Sequence, residues 1–363
     1  MLPSEVRVIP HENKRINWLI VVIVGTLMVF GLFSLRSATY GENETLFSKQ
    51  MIWDVLGFSL MISILFVKDS TIRRLSVVLY VVSVVLLIAL LLKGTPIGGS
   101  RRWFKIVGIS FQPSDLAKLS LIVLLPYLLE RKWFWRSLFL TLVPGVLVFL
   151  EPDLGTAFSM GLIWLFAVLS SRVDKKPLFV LLVVALILLP VFFFFGLKDY
   201  QRARILSFLN PEEYGRSYSY NVLQSIHAIG AGGFFGTGYM KGKANLMGYV
   251  PVSYTDFIVS VVGEEFGFLG IAFLLSLFGL FFFEVSRWIL NVKDEYWEIL
   301  MVSSCGLIWF HVFENVSMNL GLLPVTGVPL PFISYGGTST IVFSLIAGLI
   351  LKGIAIARVE KRA

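Results

Sequence analysis

The carboxylates of this chain are few and unevenly placed, and Asp256 is the most exposed to question. It opens the apolar run "DFIVSVVGEEFGFLG" (256–270), with Glu264 and Glu265 about two helical turns further on. As an N-cap, Asp256 would accept backbone N–H bonds worth about 0.5–2 kcal/mol. As a general base, the same carboxylate would remove the proton of an attacking hydroxyl. The residue alone does not choose between the two. Glu264 and Glu265 lie too deep for a cap, so at least one of them faces a polar interior or bonds to loop backbone.

Other polar groups sit in similar places. In "QPSDLAKLSLI" Pro113 and Asp115 are ordinary helix-start signals, but Lys118 lies within the apolar run that follows. A lysine inside a membrane span costs about 2.5–3.5 kcal/mol unless it finds a partner or a wet cavity. Asp54, about two turns below the end of the second apolar run, needs a salt partner such as Lys118. Glu151 and Asp153 share the turn "FLEPDLGTAF", where solvation explains them as well as a site does. In "WFHVFENVSMN" His311, Glu314 and Asn315 fall on one helix face, which favours an interhelical hydrogen-bond cluster over a metal site. Beyond them "NLGLLPVTGVPLPFISYGGTST" (319–340) holds three prolines, four glycines and Ser334. Non-helical backbone at membrane depth persists only inside protein or along a wet cavity, so this segment points to a cavity at its end of the protein.

The elements that must position these groups follow from composition. Of 363 residues, 56% are hydrophobic and 15% charged, and the mean hydropathy is +0.82. A soluble domain carries about 25% charged residues, so this chain requires lipid around it. Apolar runs of membrane length lie near 17–36, 47–67, 75–93, 114–130, 133–150, 154–171, 177–197, 257–286, 296–318 and 339–357. These predict an all-α, polytopic membrane protein of ten transmembrane helices. The expected organisation is a single domain, residues 1–363: helices one to seven over 16–197, a large external loop over 198–255, and helices eight to ten over 256–358. Lys14 and Arg15 precede a first run without a small-residue cleavage site, so it reads as a span and not a signal peptide.

Lys and Arg gather in the loops 68–74, 131–136, 171–176 and 286–293 and in the tail 357–362. All fall on one side, which the positive-inside tendency makes cytoplasmic, with both termini. The formal net charge of +8 is therefore a topology signal, and no solvated basic domain is left to hold nucleic acid. Two opposite-side loops break the tendency: 94–112 with Arg101, Arg102 and Lys105, and 198–254 with Lys198, Arg202, Arg204, Arg216, Lys241 and Lys243. Long loops translocate whatever their charge, but an external anion site explains the first loop equally well. The lone Cys305, among apolar neighbours, excludes an internal disulfide and reads as a packing residue.

An external site with cations near its mouth and few carboxylates suits a lipid phosphate or diphosphate. Glycosyl transfer from a lipid diphosphate fits that inventory. The leaving group is a stable anion that cations or a divalent metal can neutralise, and the acceptor hydroxyl needs one base.

The runs "RRWFKIVGISFQPSDLAKL", "EPDLGTA", "YQRARILSFLNP", "YNVLQSIHAIGAGGFFGTGY", "YTDFIVSVVGEEFGFLG" and "NLGLLPVTGVPLPFISYGGTS" resemble the SEDS family (shape, elongation, division and sporulation), in the expected order. The "YQRARI" and "PVTGVPLPFISYGG" wording is more similar to its rod-shape branch than to its division branch. The resemblance implies a peptidoglycan glycosyltransferase of the bacterial cytoplasmic membrane that polymerises lipid II into β-1,4 glycan. It places the family's essential aspartate on Asp256, with Arg102, Trp103, Lys118, Glu151, Asp153, Arg204 and Ser334 in family motifs around the substrate. A pyrophosphate role for Arg102, Lys118 and Arg204, and a Mg or Mn ion as candidate cofactor, are expectations from the chemistry. The implied partners are a class B penicillin-binding protein, a transpeptidase, with other elongation-complex membrane proteins and lipid. Asp115 stands where the family commonly has Glu, and Thr338 where it usually has Ser. A lipid II flippase and a noncatalytic scaffold for the transpeptidase are the competing readings.

Overall fold

A computed structural model of the chain describes residues 16–40, 44–93, 95–97, 100–106, 109–197, 201–203, 206, 208 and 220–361. The apolar runs fold as helices: α1 (Trp18–Ala38), α2 (Glu44–Ser63), α3 (Asp69–Lys93), α4 (Pro113–Leu129), α5 (Phe134–Leu150), α6 (Leu154–Ser170) and α7 (Lys176–Val191). After the loop come α8 (Tyr220–Gly232), α9 (Lys243–Leu246), α10 (Ile258–Ile289), α11 (Glu295–Asn319) and α12 (Gly337–Glu360). The protein is all-helical in character, with seven helices among the described residues long and apolar enough to cross a membrane. Helices α4, α5 and α6 are shorter, at 17 residues each.

The region 94–112, read as a loop, contains a small antiparallel sheet instead. Its strands β1 (Thr95–Ile97), β2 (Ser100–Ile106) and β3 (Ile109–Phe111) pair in sequence order, with Thr95 opposite Trp103 and Phe104 opposite Phe111. The three-residue strands β1 and β3 leave almost no hydropathy signature, but "SRRWFKI" of β2 carries a β-favouring aromatic pair, and glycines stand at 98, 99 and 108 between the strands. Thr338 ties this sheet to α12: its Oγ1 accepts from Gln112 N at 3.3 Å and donates to Ser110 O at 3.2 Å.

Helices α11 and α12 form the centre of the bundle, with 78% and 89% of their apolar windows buried, whereas α7 is 6% buried and peripheral. The centre also includes α4, which packs against α3, α6 and α11. In lipid, side chains on the outside stay apolar and packing selects the small and polar residues inside. That explains why Ser114, Ser120, Ser303, Ser304 and Ser344 are all buried.

Helix α10 is broken. Gly267 has φ +65° and ψ −159°, and the amides left over are taken up by the glycine-rich segment after α8. Phe268 N donates to Gly233 O at 2.9 Å and Leu269 N to Phe234 O at 3.2 Å. A Cβ at Gly267 would lie 2.3 Å from Gly236 N, so only glycine allows this approach.

Candidate active site

Asp256 does not occupy the cap of α10. Residues 251–257 form a turn, the helix begins at Ile258, and the N-cap position belongs to Phe257, which offers no side-chain cap. Asp256 is half-buried, one residue outside the helix. Its main-chain carbonyl accepts hydrogen bonds from Asn315 Nδ2 and Asn319 Nδ2, both at 3.0 Å. The two preceding carbonyls are also held: Ser334 Oγ donates to Thr255 O at 2.7 Å, and Tyr335 N donates to Tyr254 O at 2.9 Å. Ser334 in turn accepts from Leu330 N at 2.9 Å, so the turn and the proline-rich segment form one stitched unit. The carboxylate lies against Gly327, where an added Cβ would be 3.5 Å from Asp256 Oδ2 and where φ is +81°.

The proline-rich segment satisfies only part of its own backbone, because Pro324, Pro329 and Pro331 supply no N–H. Helix α11 meets that need. His311 Nδ1 bonds Pro329 O at 3.0 Å, Asn315 Nδ2 donates to Val328 O at 2.8 Å, and Glu314 Oε1 accepts from Thr326 Oγ1. The hydrogen bonds of the expected interhelical cluster thus run from helix to loop: His311 and Asn315 hold non-helical backbone and Glu314 holds the Thr326 hydroxyl, while the His311 ring also packs on Phe343 of α12. The open atoms His311 Nε2 and Glu314 Oε2 are buried without a hydrogen-bond partner. Gly155, near the start of α6, presses on the same segment; a Cβ there would stand 2.7 Å from Val328 Cγ2 and 2.9 Å from Thr326 Cβ.

That contact brings in the Glu151–Asp153 turn. Both carboxylates are buried, which removes the solvated-turn reading. Asp153 caps α6 by accepting from Thr156 N at 3.2 Å. Arg102, on β2, reaches over the turn, with Nε 3.4 Å from Glu151 O, Nη1 3.8 Å from Asp153 Oδ2, and a hydrogen bond from Nη2 to Pro152 O. Burial, reinforced by the Asp153 charge and only partly opposed by Arg102, pushes the Glu151 carboxyl up to about 8. Trp103, the next residue of β2, is half-buried.

Lys118 does not reach Asp54. It is 1% exposed, its Nζ is 2.8 Å from Asp115 Oδ1, and it lies over the Phe343 ring at 5.6 Å. The i, i+3 geometry lets the pair neutralise itself within the first turns of α4, whose N-cap is Gln112. Asp54 instead accepts from Gln50 Nε2 at 2.8 Å, and Gln50 also bonds Thr340 Oγ1 at 2.8 Å and Gly336 N at 3.1 Å. An amide one helical turn away does what a distant salt partner was expected to do.

Glu264 is tied to the loop and Glu265 to α1. Glu264 accepts from Ala244 N at 2.8 Å and Asn245 N at 3.2 Å at the start of α9, and Glu265 accepts from Ser37 Oγ. Arg204 lies outside the described residues. Gln50, Asn319, Thr326 and Gly327 joined the site without having been singled out from sequence. Asn319 had one signal, its position one turn beyond Asn315 on the same helix face. Among the described residues no group of three or more His, Cys, Asp or Glu side chains converges to hold a metal ion.

Against this geometry, the family described as "Cell cycle protein", which joins FtsW, RodA and SpoVE, matches residues 12–359. The peptidoglycan glycosyltransferase MrdB of Escherichia coli K12 is 30% identical over 356 residues, covering 94% of this chain and 96% of that one. A probable peptidoglycan glycosyltransferase FtsW of Geobacter sulfurreducens is 31% identical over 361 residues, covering 94% and 95%. The rod shape determining protein RodA of Thermus thermophilus superposes with a TM-score of 0.70 at 28% identity, covering 94% and 97%. A chain from a structure on coordination of polymerization and crosslinking by a peptidoglycan synthase complex superposes with a TM-score of 0.81 at 30% identity, covering 96% and 99%. With near-complete coverage in sequence and in fold, this chain belongs to the FtsW/RodA/SpoVE family of cell cycle proteins.

Proposed function

We propose that this enzyme is a peptidoglycan glycosyltransferase of cell elongation that polymerises lipid II into β-1,4 glycan, with Asp256 as its general base. The acceptor sugar hydroxyl attacks the anomeric carbon of the donor while the bond to the lipid diphosphate breaks. Asp256 takes the hydroxyl proton, and the diphosphate leaves with the electron pair of the broken bond. One carboxylate on the acceptor side suffices for such an inverting transfer. The observation that carries this reading is the half-buried Asp256, held outside its helix by the two asparagine amides and resting on Gly327.

The diphosphate falls to Arg102 and Arg204. Arg102 is anchored by Asp153 and two carbonyls and keeps 19% of its side chain exposed, while the Lys118 charge is already offset by Asp115 and buried. No step is assigned to a metal ion.

The ten long helices serve as ten spans, in one domain, with both termini cytoplasmic. A helix of 17 residues lies at the lower end of the spanning range of about 17–25. The basic loops meet at one end of the bundle: Arg73 pairs with Glu130 at 2.8 Å and Asp294 at 2.9 Å, and Lys293 N donates to Glu360 Oε2 at 2.7 Å. The Asp256 turn, the start of α6 and the start of α12 lie at the other end, which this orientation puts outside the bacterial cytoplasmic membrane. The likeness to a chain from a peptidoglycan synthase complex supports a class B penicillin-binding protein as partner, within the elongation machinery.

Purified protein supplied with lipid II tests the reading. Asp256→Asn keeps the shape and removes the base, so polymer formation is expected to fall by about 10²–10⁴-fold with the fold intact. Normal polymerisation by this variant would overturn the mechanism. Lipid translocation in vesicles without polymer would establish a flippase, and neither activity a scaffold.

A further inference from the structure

The base is held by its main chain, and the residues that hold it have no part in the reaction as described so far. Asn315 and Asn319 are both 0% exposed, one turn apart at the end of α11. Each directs its amide nitrogen at Asp256 O. An asparagine amide has two hydrogens, and here both have acceptors. Asn315 gives its second to Val328 O at 2.8 Å, and Asn319 gives its second to Asn315 O at 2.9 Å. From the other side Ser225 Oγ, on α8, donates to Asn319 O at 2.9 Å and lies 3.1 Å from Asn319 Oδ1. The pair therefore fixes, at one point, the turn bearing Asp256, the Val328 carbonyl next to Gly327, and the loop helix α8.

We propose that Asn315 and Asn319 are positioning residues for glycosyl transfer: by anchoring the Asp256 carbonyl they keep this residue out of the α10 helix and its carboxylate against Gly327. The proposal rests on the reading of Asp256 as the base. A carbonyl at the mouth of a helix is a ready acceptor for the helix's own amides, and joining that ladder would rotate the Asp256 Cα–Cβ bond. Two amides from a neighbouring helix compete for the carbonyl and win because both are buried and rigidly placed. Proton transfer from a sugar hydroxyl needs hydrogen-bond reach, and a misplacement of about 1 Å can cost about 10²-fold in rate. Nothing in this role requires either asparagine to touch substrate.

The experiment uses the full chain, purified and reconstituted with fluorescent lipid II, and measures kcat, KM and thermal unfolding. Asn319→Ala and Asn315→Ala are each expected to lower kcat by about 10–100-fold with KM within twofold of the parent, and to lower the unfolding temperature, because buried carbonyls lose their donors, while leaving the protein folded at the assay temperature. The same asparagine variants are then made in an Asp256→Glu background, where the carboxylate is already displaced by one methylene. Residues that act through placement of Asp256 lose most of their effect there, so the added loss is expected to be under threefold; an independent structural role would impose the same factor in both backgrounds. If an alanine variant fails to fold, Asn319→Gln, which keeps the amide but moves it, enters the cycle in its place. A kcat loss under twofold, a loss that follows the unfolded fraction, or equal factors in the two backgrounds would overturn the proposal. Asp256→Asn in the same assay separates the two readings. If it polymerises normally, the base assignment has failed and the positioning role with it; if it is inactive while the asparagine variants are normal, only the positioning role has failed.

Discussion

Glu151 is a carboxyl kept neutral by its surroundings, and this makes pH a probe of the site's second acid. Its value rises from 4.5 to about 8 through burial and the Asp153 charge. In the unfolded chain the group ionises near its ordinary value, whereas in the folded chain it stays protonated until about 8. The unfolded state therefore loses its proton first, and stability falls as pH rises through that window before levelling above it. Glu151→Gln mimics the neutral acid, so thermal unfolding of this variant between pH 5 and 8, a range set by those two values, is expected to show a shallower decline than the parent. An equally steep decline in the variant would assign the dependence to other groups. Lys118 teaches the opposite lesson. A buried charge was legible as an anomaly, but its partner was three residues away and not in another helix.

At the scale of elements, the break in α10 joins the loop to the bundle. The helix could have run unbroken through "GEEFGFLG", and the hydropathy pattern reads as one continuous span. Instead, backbone amides past Gly267 turn to carbonyls after α8, while Glu264 caps α9 from the other direction. Gly267→Ala would impose a left-handed conformation on a residue with a Cβ and drive that Cβ to 2.3 Å from Gly236 N. At φ +65° and ψ −159°, a region essentially confined to glycine, the conformational part alone costs about 1–3 kcal/mol. The expected outcome is a lower unfolding temperature and faster proteolysis in the 233–247 segment, with α10 still inserted. Unchanged proteolysis would mean that the loop is held elsewhere. The break is invisible to periodicity because it preserves the apolar character of both halves. The β1–β2–β3 sheet was missed for a related reason, since its two outer strands have three residues each, below any pattern a sequence window resolves.

At the scale of the molecule, the bundle has a basic end joined by ion pairs and a site end joined by hydrogen bonds to non-helical backbone. Lys132 and Lys241 are exposed at opposite ends in the proposed orientation. With Cys305→Ser as parent, Lys241→Cys is expected to react with an impermeant thiol reagent on intact cells stripped of outer barriers, and Lys132→Cys only after the membrane is opened. Reversed labelling would invert the topology and move Asp256 to the cytoplasmic side.

Hydropathy, loop charge and the family motifs were enough to locate the helices, to collect the unexplained polar residues at helix ends, and to single out Asp256. These are local properties, written along the chain at the spacing of a turn or a membrane thickness. Which donor meets which acceptor was decided only by the tertiary structure. Asp256 with Asn315 and Asn319, Gln50 with Thr340, and Arg102 with Asp153 are separated by 59, 63, 290 and 51 residues, and a sequence carries no measure of distance across such gaps. The prolines announced that the 319–340 segment could not bond all of its own backbone, but the helix that supplies the remaining partners became known only once the bundle closed around it.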